Sequence, residues 1–208
     1  MKKIQSVRGT HDLLPNILRK HKFIENTGAN IAALYGFAEI ETPVFEFTDV
    51  FARSLGVSSD VVSKEMYSFN TKGGENITLR PEGTAGIARA FISNGLAQHV
   101  PLKLFYRGPM FRHERPQKGR QRQFHQMGVE LLGAESPQAD VEVVSIAHRI
   151  IRDLGLSGGV RLETNSLGDV ESRALYKDAL IDFFSNYKSD LSPDSLHRLN
   201  TNPLRILD

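Results

Sequence analysis

The chain contains no cysteine and no tryptophan among its 208 residues. Without cysteine it has no disulfide, no thiol nucleophile and no cysteine-ligated zinc site, and a reducing compartment is therefore permitted. No apolar run approaches the roughly 18 residues that a membrane-spanning helix needs. The N-terminal sequence also lacks the apolar core of a secretory signal. We therefore expect a soluble, cytoplasmic chain with no membrane partner.

Several catalytic signatures are absent as well. The seven histidines show no spacing typical of a metal site, so no metal ligand is predicted. There is no P-loop, no GxGxxG and no GxSxG motif. Apolar residues make up 40 % of the chain and charged residues 24 %, which excludes global disorder. The net charge is only +2, but charge can still be concentrated locally.

The periodicity of apolar residues predicts an α+β fold with an antiparallel sheet, because strands and helices do not alternate regularly. Helices are predicted over Pro15–Tyr35, after an N-cap at Thr48, over about Glu82–Ser93, from Pro137 to Gly155, over Asp169–Tyr187 and after Ser192. Strands are predicted over Phe37–Glu41, Met66–Asn70, Ile77–Arg80, Lys103–Arg107, Met110–Glu114, Gln123–Leu131 and Val160–Thr164. A domain boundary is predicted near residue 166, where the pattern becomes purely helical.

A cluster of positive charge lies between the two longest predicted strands. Six cations face a single acid, Glu114, in this window; they are Arg107, Arg112, Arg115, Lys118, Arg120 and Arg122. A run of this kind is often only a solvated turn. Here most of the cations are arginines, which bind phosphate in a bidentate manner, and Phe124 follows at once. The pattern favours a nucleotide site, a nucleic-acid contact, or both.

Two further groups of polar residues are candidates. Glu82 and Thr84 lie at a strand-to-helix junction, where they either receive an ammonium group or simply cap the helix. Gln126 and Glu130 share one strand parity with Phe124, so all three point to one face of a strand. That face is either solvated or the lining of a pocket.

Four segments resemble, in chain order, the motifs of class II aminoacyl-tRNA synthetases in their histidyl form. RGTHDLLP (8–15) resembles the N-terminal stretch of that family, and GFAEIETPVFE (36–46) resembles motif 1, with Pro43 as its proline. TLRPEGTAG (78–86) resembles the amino-acid-binding loop, and FRHERPQKGRQRQFHQ (111–126) resembles motif 2. NPLRILD at the end of the chain also looks familial. The resemblance implies a synthetase-like antiparallel sheet flanked by helices.

The resemblance also implies roles for single residues. Arg112 would hold the α-phosphate of ATP and the histidine carboxylate as they react. Glu114, Arg120 and Phe124 would bind the rest of ATP, with Mg²⁺ sharing the charge. Histidine would be bound by Glu82, Thr84, Gln126 and Glu130. The acceptor end of tRNA-His would meet Arg115, Gln117, Lys118 and Arg122.

The family contains more than is found here. The third motif, an RGLDYYT-like segment and an anticodon-reading domain do not occur in this sequence. We therefore expect an N-terminal portion: residues 1–165 of the catalytic core with motifs 1 and 2, and residues 166–208 from the start of the region inserted before motif 3. The resemblance implies a homodimer through motif 1, and we expect no aminoacylation by this chain alone.

Two other functions remain open. The first is a histidine-binding, synthetase-like regulatory subunit of ATP phosphoribosyltransferase. The second is an RNA-binding module that senses uncharged tRNA. The intact RPQKGR loop argues against the regulator, and the intact set of Glu82, Thr84, Arg112 and Glu130 argues against the sensor.

Overall fold

The structure is a computed structural model that describes residues 4–56, 59, 61–115, 117–166 and 168–207. The helices are α1 (Pro15–Leu34), α2 (Thr48–Leu55), α3 (Thr84–Ser93), α4 (Pro137–Asp153), α5 (Val170–Ser185) and α6 (Pro193–Thr201). The strands are β1 (Ala38–Glu39), β2 (Phe45–Phe47), β3 (Tyr67–Asn70), β4 (Asn76–Leu79), β5 (Leu102–Phe111) and β6 (Gln123–Leu132). The chain divides into two compact units, Met1–Gly159 and Val160–Asp208.

The central sheet of the first unit has the order β1-β5-β6. Strands β5 and β6 pair antiparallel over their full lengths, from Leu102 opposite Leu132 to Phe111 opposite Gln123. The short strand β1 adds in parallel to the other side of β5. The predicted α+β class with an antiparallel sheet is confirmed, and the two strands predicted at 103–107 and 110–114 form one continuous strand.

The core lies on one side of this sheet, where α1 and α4 pack. Its buried members are Ile31, Ala32, Phe37, Phe105 and Ile146. Met127, Val129 and Leu131 of β6 pack against that cluster. Side chains alternate across a strand, so the even-numbered residues of β6 point away from the core. One face of the hairpin thus packs against the helices, and the other carries Gln126 and Glu130 beside the buried Leu104 and Met110.

The second sheet is small and has the order β2-β4-β3. Its register aligns Phe45 with Leu79 and Tyr67, and Phe47 with Ile77 and Phe69. These six apolar residues therefore share one face, on which Phe45, Phe47 and Phe69 are 52, 56 and 48 % exposed. The opposite face contains the buried Thr78, whose hydroxyl lies 2.8 Å from that of Thr48 and 2.6 Å from that of Ser68.

Two local predictions are wrong. The β-branched and apolar residues of 160–164 predicted a strand. The segment is instead irregular and pairs with no strand among the described residues. Its residues Val160 and Leu162 are 51 and 62 % exposed. Thr48 was expected to be an N-cap, yet it is the first helical residue of α2. Its hydroxyl is used instead by Asn76 and Thr78.

The second unit is helical. Asp169 caps α5 by accepting a hydrogen bond from the Ser172 amide, and Ser192 caps α6 by accepting one from the Ser195 amide. Such side-chain caps satisfy amides that have no partner within the helix. Leu180, Leu199 and Pro203 are the buried apolar residues of this unit among those described.

Candidate functional site

The face of β6 that points away from the core presents a line of groups with different chemistry. Phe124, Gln126 and Glu130 lie on this face, opposite Met110, Gly108 and Leu104 of β5. Phe124 and Glu130 are six positions apart along an extended strand, a span of about 20 Å. The predicted common face is therefore present, and it is long enough for an extended ligand.

The loop before α3 meets this face at Glu130. The Thr84 hydroxyl donates a hydrogen bond to Oε1 of Glu130 at 2.7 Å, although the two residues are 46 positions apart in sequence. Burial raises the pKa of the Glu130 carboxyl; the Thr84 hydrogen bond opposes the shift and the Glu82 charge adds to it. A half-buried carboxylate beside a hydroxyl is a suitable acceptor for a cationic or N–H-bearing ligand.

Glu82 caps α3. Its carboxylate accepts from the Thr84 amide at 2.6 Å and from the Ala85 amide at 2.8 Å. Glu82 therefore caps the helix, whereas Thr84 uses its hydroxyl on Glu130. The binding of an ammonium group by Glu82 stays a prediction. Capping does not exhaust the acceptor capacity of Glu82, because each carboxylate oxygen has a second lone pair.

Tyr106 is a site residue that the sequence analysis missed. It lies directly opposite Gly128 on the same face, and its ring edges contact the backbones of two glycines. A Cβ placed on Gly83 would lie 2.1 Å from ring atom Cε2, and one on Gly128 would lie 2.7 Å from Cε1. Burial and the Glu130 charge raise the pKa of the Tyr106 hydroxyl, while the Thr84 side chain lowers it by hydrogen bonding. In the sequence, the glycines at positions 83 and 128 were the signal that a bulky side chain approaches the backbone there.

Arg112 lies at the other end of the face, next to Phe124. Its guanidinium carbon is 5.3 Å from the centre of the Phe124 ring, and its Nε donates to the Pro81 carbonyl at 2.9 Å. Arg112 therefore connects the loop before α3 to the end of β5. Its terminal nitrogens have one ion contact among the described residues, to Glu114 Oε1 at 4.0 Å, and they are available for an anion.

Glu114 and Arg120 face each other across the base of the hairpin loop. Arg120 donates to Oε2 of Glu114 at 2.9 Å, and the Glu114 side chain is only 14 % exposed while that of Arg120 is 60 % exposed. The carboxylate is thus held in place while the arginine is open to solvent. Because its arginine is open to solvent, this ion pair is screened by water, and Arg120 can change partner at little cost.

The tip of the loop is a tight turn. The Gln117 carbonyl accepts from the Arg120 amide at 2.9 Å, and Gly119 has a positive φ of 83°. Arg115, Gln117 and Lys118 are exposed. Within the described part of the chain, the side chains of these three residues have no hydrogen bond or ion pair. They form an open cationic tip.

Arg122 differs from the other loop cations. Its amide donates to the Gly9 carbonyl at 2.7 Å, and its guanidinium reaches the carbonyls of Glu114 and Arg8 at 3.3 and 3.5 Å. The predicted tRNA residue is therefore occupied with holding the N-terminal RGTHDLLP stretch against the hairpin.

Gln126, between the two ends of the face, has an unsatisfied side chain. Its Oε1 atom is buried and has no hydrogen-bond partner among the described residues. Buried polar atoms are nearly always paired in folded proteins, so such an atom points to a missing donor. Gln121 Oε1 and Arg149 Nε have the same status but are not on this face.

Metal ligands do not accumulate around the site. Among the residues that the structure describes, no three His, Asp or Glu side chains form a cluster able to hold a metal ion. The Glu114 carboxylate lies at the Arg112 end of the face, with Oε1 4.0 Å from Arg112 Nη1.

The sequence was also compared with known proteins. The histidyl-tRNA synthetase family profile matches residues 9–171. The chain belongs to the histidyl-tRNA synthetase family.

Two relatives have high identity or close structural similarity. The histidine–tRNA ligase of Rhodospirillum rubrum is 61 % identical over 208 residues, which are 100 % of this chain and 50 % of that protein. The structure of apo S. aureus histidyl-tRNA synthetase has a TM-score of 0.76 and 40 % identity, covering 98 % of this chain and 48 % of that one. The chain thus spans about half the length of the relatives it matches.

A third match bears on the regulatory alternative. A Bacillus halodurans structure described as an ATP phosphoribosyltransferase regulatory subunit/histidyl-tRNA synthetase has a TM-score of 0.64 at 26 % identity, covering 94 % of this chain and 54 % of that one. The ligase relative is much closer in sequence, which favours the synthetase over the regulator.

In the described residues no helix has the length and apolar character to cross a bilayer.

Proposed function

We propose that this protein contributes the ATP and histidine sites of a cytoplasmic histidine–tRNA ligase, which activates histidine as histidyl-adenylate and transfers it to tRNA-His. One observation carries this proposal above the others. Three groups follow one another along a single face of β6. They are the Phe124 ring with Arg112 beside it, the Gln126 amide with its unpaired oxygen, and the Glu130 carboxylate with the Thr84 hydroxyl bound to it. That order matches the order of base and phosphate, amino-acid backbone, and imidazole in the adenylate.

At the nucleotide end, we assign the adenine ring to Phe124 and the α-phosphate to Arg112. Arg120 is exposed and able to leave Glu114 for the outer phosphates. In the activation step an oxygen of the histidine carboxylate attacks the α-phosphorus, the bond to the β-phosphate oxygen breaks, and pyrophosphate leaves. No protein nucleophile is needed, so these residues act by aligning the reactants and neutralising charge.

At the amino-acid end, the ammonium group is assigned to Glu82 and Gln126, and an imidazole N–H to Glu130. Thr84 already donates to Glu130, which fixes the carboxylate before the substrate arrives. A substrate that lacks the imidazole N–H leaves this half-buried carboxylate unpaired, and sites of this type discriminate strongly against such analogues.

Mg²⁺ fits this arrangement through Glu114. The ion usually binds by one or two carboxylates together with substrate phosphates and retained waters, so a dedicated cluster of acidic residues is not required. When bound, it would reduce the negative charge of the phosphates.

The exposed tip of the hairpin loop is assigned to the acceptor end of tRNA-His. Arg115 and Lys118 supply charge and Gln117 a polar contact, while Arg122 contributes mainly by holding the base of the loop. Contacts of cations with phosphates give affinity that falls as salt rises.

The exposed aromatic face of the small sheet supports the predicted homodimer. Phe45, Phe47 and Phe69 are about half exposed on one face, and Phe45 belongs to the motif 1 segment. Contiguous apolar surface of this kind marks interaction sites. We assign this face to the contact between two copies.

The test is histidine binding by calorimetry, together with pyrophosphate exchange into ATP, on the 208-residue chain and on Glu130→Ala. The matched control is Glu75→Ala, on the exposed β3–β4 turn. We expect binding of histidine alone among the amino acids, lost in Glu130→Ala and kept in Glu75→Ala. No binding, or binding that survives Glu130→Ala, would overturn the assignment. Histidine binding with affinity for ATP phosphoribosyltransferase and none for tRNA would indicate the regulator.

A further inference from the structure

Arg80 is a buried cation that the sequence analysis did not single out. The residue is only 5 % exposed. Its Nε donates to the Pro109 carbonyl at 2.9 Å, and its Nη1 donates to the Thr42 carbonyl at 2.8 Å. One guanidinium therefore joins the motif 1 segment to strand β5.

The backbone around Arg80 is fastened to the same two segments. The Arg80 amide donates to the Val44 carbonyl at 2.9 Å, and the Arg80 carbonyl accepts from the Phe111 amide at 2.9 Å. The next residue, Pro81, offers its carbonyl to Arg112 Nε at 2.9 Å. The position of the Pro81 carbonyl is thus set by the anchored residue immediately before it.

These contacts depend on the shape of a guanidinium. Arginine presents donors in a rigid planar fork, whereas lysine is a flexible point charge, so lysine cannot hold two carbonyls in fixed directions. The fit is close, because a Cβ on Gly108 would lie 2.5 Å from Arg80 Nη2. Glu41 and Glu46 lie close enough to stabilise the buried charge and oppose the effect of burial, which lowers the pKa of Arg80.

We propose that Arg80 is a positioning residue for histidine activation, which sets the direction of the Arg112 guanidinium by fixing the Pro81 carbonyl. The effect of Arg80 on catalysis depends on the proposed function. Its structural part, the coupling of Arg80 to Arg112, holds for the chain without any substrate.

The structural part is tested by nitrogen-15 NMR of arginine Nε–H groups in the 208-residue chain. The Arg112 signal is assigned by its loss in Arg112→Ala. We expect this N–H to be protected from solvent exchange in the parent chain by its part-buried hydrogen bond to the Pro81 carbonyl. Its exchange should be at least about tenfold faster in Arg80→Lys, where this bond is lost. Arg152→Lys on α4 is the control, because the Arg152 guanidinium is solvent-exposed and donates to its neighbour Asp153.

An unchanged Arg112 signal in a folded Arg80→Lys chain overturns the proposal. Should Arg80→Lys fail to fold, Arg80→Gln supplies the second test, since it keeps a neutral N–H donor at this position but has no guanidinium fork. The Arg112 signal is then expected to shift, and an unchanged signal again overturns the proposal.

The catalytic part is tested by a double-mutant cycle on pyrophosphate exchange. We expect Arg80→Lys to lower kcat by about tenfold or more, with less than about threefold change in KM for ATP. In an Arg112→Ala background, the same substitution should change kcat by less than about twofold. Equal effects in both backgrounds overturn the proposal. If the parent chain shows no histidine-dependent exchange and binds no histidine, the proposed function fails, while the NMR result still decides the coupling.

Discussion

The contact between Gly83 and Tyr106 gives a prediction with a magnitude. A Cβ at position 83 would lie 2.1, 2.4 and 2.7 Å from three atoms of the Tyr106 ring, where carbon atoms normally stay about 3.5 Å or more apart. The ring cannot move away freely, because its opposite edge meets Gly128, where a Cβ would lie 2.7 Å from Cε1. Gly83→Ala therefore overpacks the site.

Overpacking of this kind costs about 1–3 kcal/mol of the free energy of unfolding. Gly83 has φ −98° and ψ −30°, which alanine adopts easily, so the substitution also gains about 0.4–1 kcal/mol by restricting the unfolded chain. The midpoints of the two ranges, about 2 and about 0.7 kcal/mol, leave a net loss of about 1.3 kcal/mol, which corresponds to a fall in Tm of about 3–5 °C for a chain of this size.

The assay is thermal and urea unfolding followed by circular dichroism. Gly73→Ala is the control, because its Cβ would meet only Thr71 Oγ1, at 3.6 Å, and its stability is expected within about 0.5 kcal/mol of the parent chain. Removal of the ring should relieve the clash, so Gly83→Ala in a Tyr106→Leu background is expected to cost nothing further. A Gly83→Ala chain as stable as the parent would refute the confinement of the ring.

Three further predictions concern the site. Burial raises the pKa of Glu130, so the ionised carboxylate destabilises the fold above that pKa and protonation relieves this penalty. Glu130→Gln should therefore raise Tm near neutral pH, and this gain in Tm should shrink as the pH falls. A gain that grows in acid would contradict the direction of the pKa shift. Arg112→Ala should slow pyrophosphate exchange by about 10² or more through loss of a transition-state contact, and an unchanged rate would remove the role assigned to Arg112. Lys118→Gln should lower the salt dependence of tRNA binding by about one unit of slope, unlike Lys72→Gln on the β3–β4 turn, and equal slopes would place the tRNA elsewhere.

The sequence determined the local elements and the faces of the main hairpin. The sequence predicted a strand over Gln123–Leu131, and parity alone placed Phe124, Gln126 and Glu130 on one side of it. The charged stretch without apolar residues predicted the loop. Such patterns can be read from neighbouring residues, because strand geometry repeats every two residues whatever packs against it.

The motifs also determined the family. Four segments in one order resemble the histidyl-tRNA synthetases, and the profile match over residues 9–171 confirms this membership. The roles given to individual residues stay predictions, as does the assignment of residues 166–208 to the inserted region.

Only the tertiary structure decided which distant groups meet. Thr84 reaches Glu130 across 46 positions, and Glu82 turned out to be a helix cap as well as a candidate ligand. Arg80 reads in sequence as one more arginine at a strand end, and its burial appears only when motif 1 and β5 close around it. Residues 160–164 have the composition of a strand, yet a strand also needs a paired neighbour, and this segment pairs with no strand among the described residues. These outcomes depend on contacts between segments far apart in sequence, which no local pattern encodes.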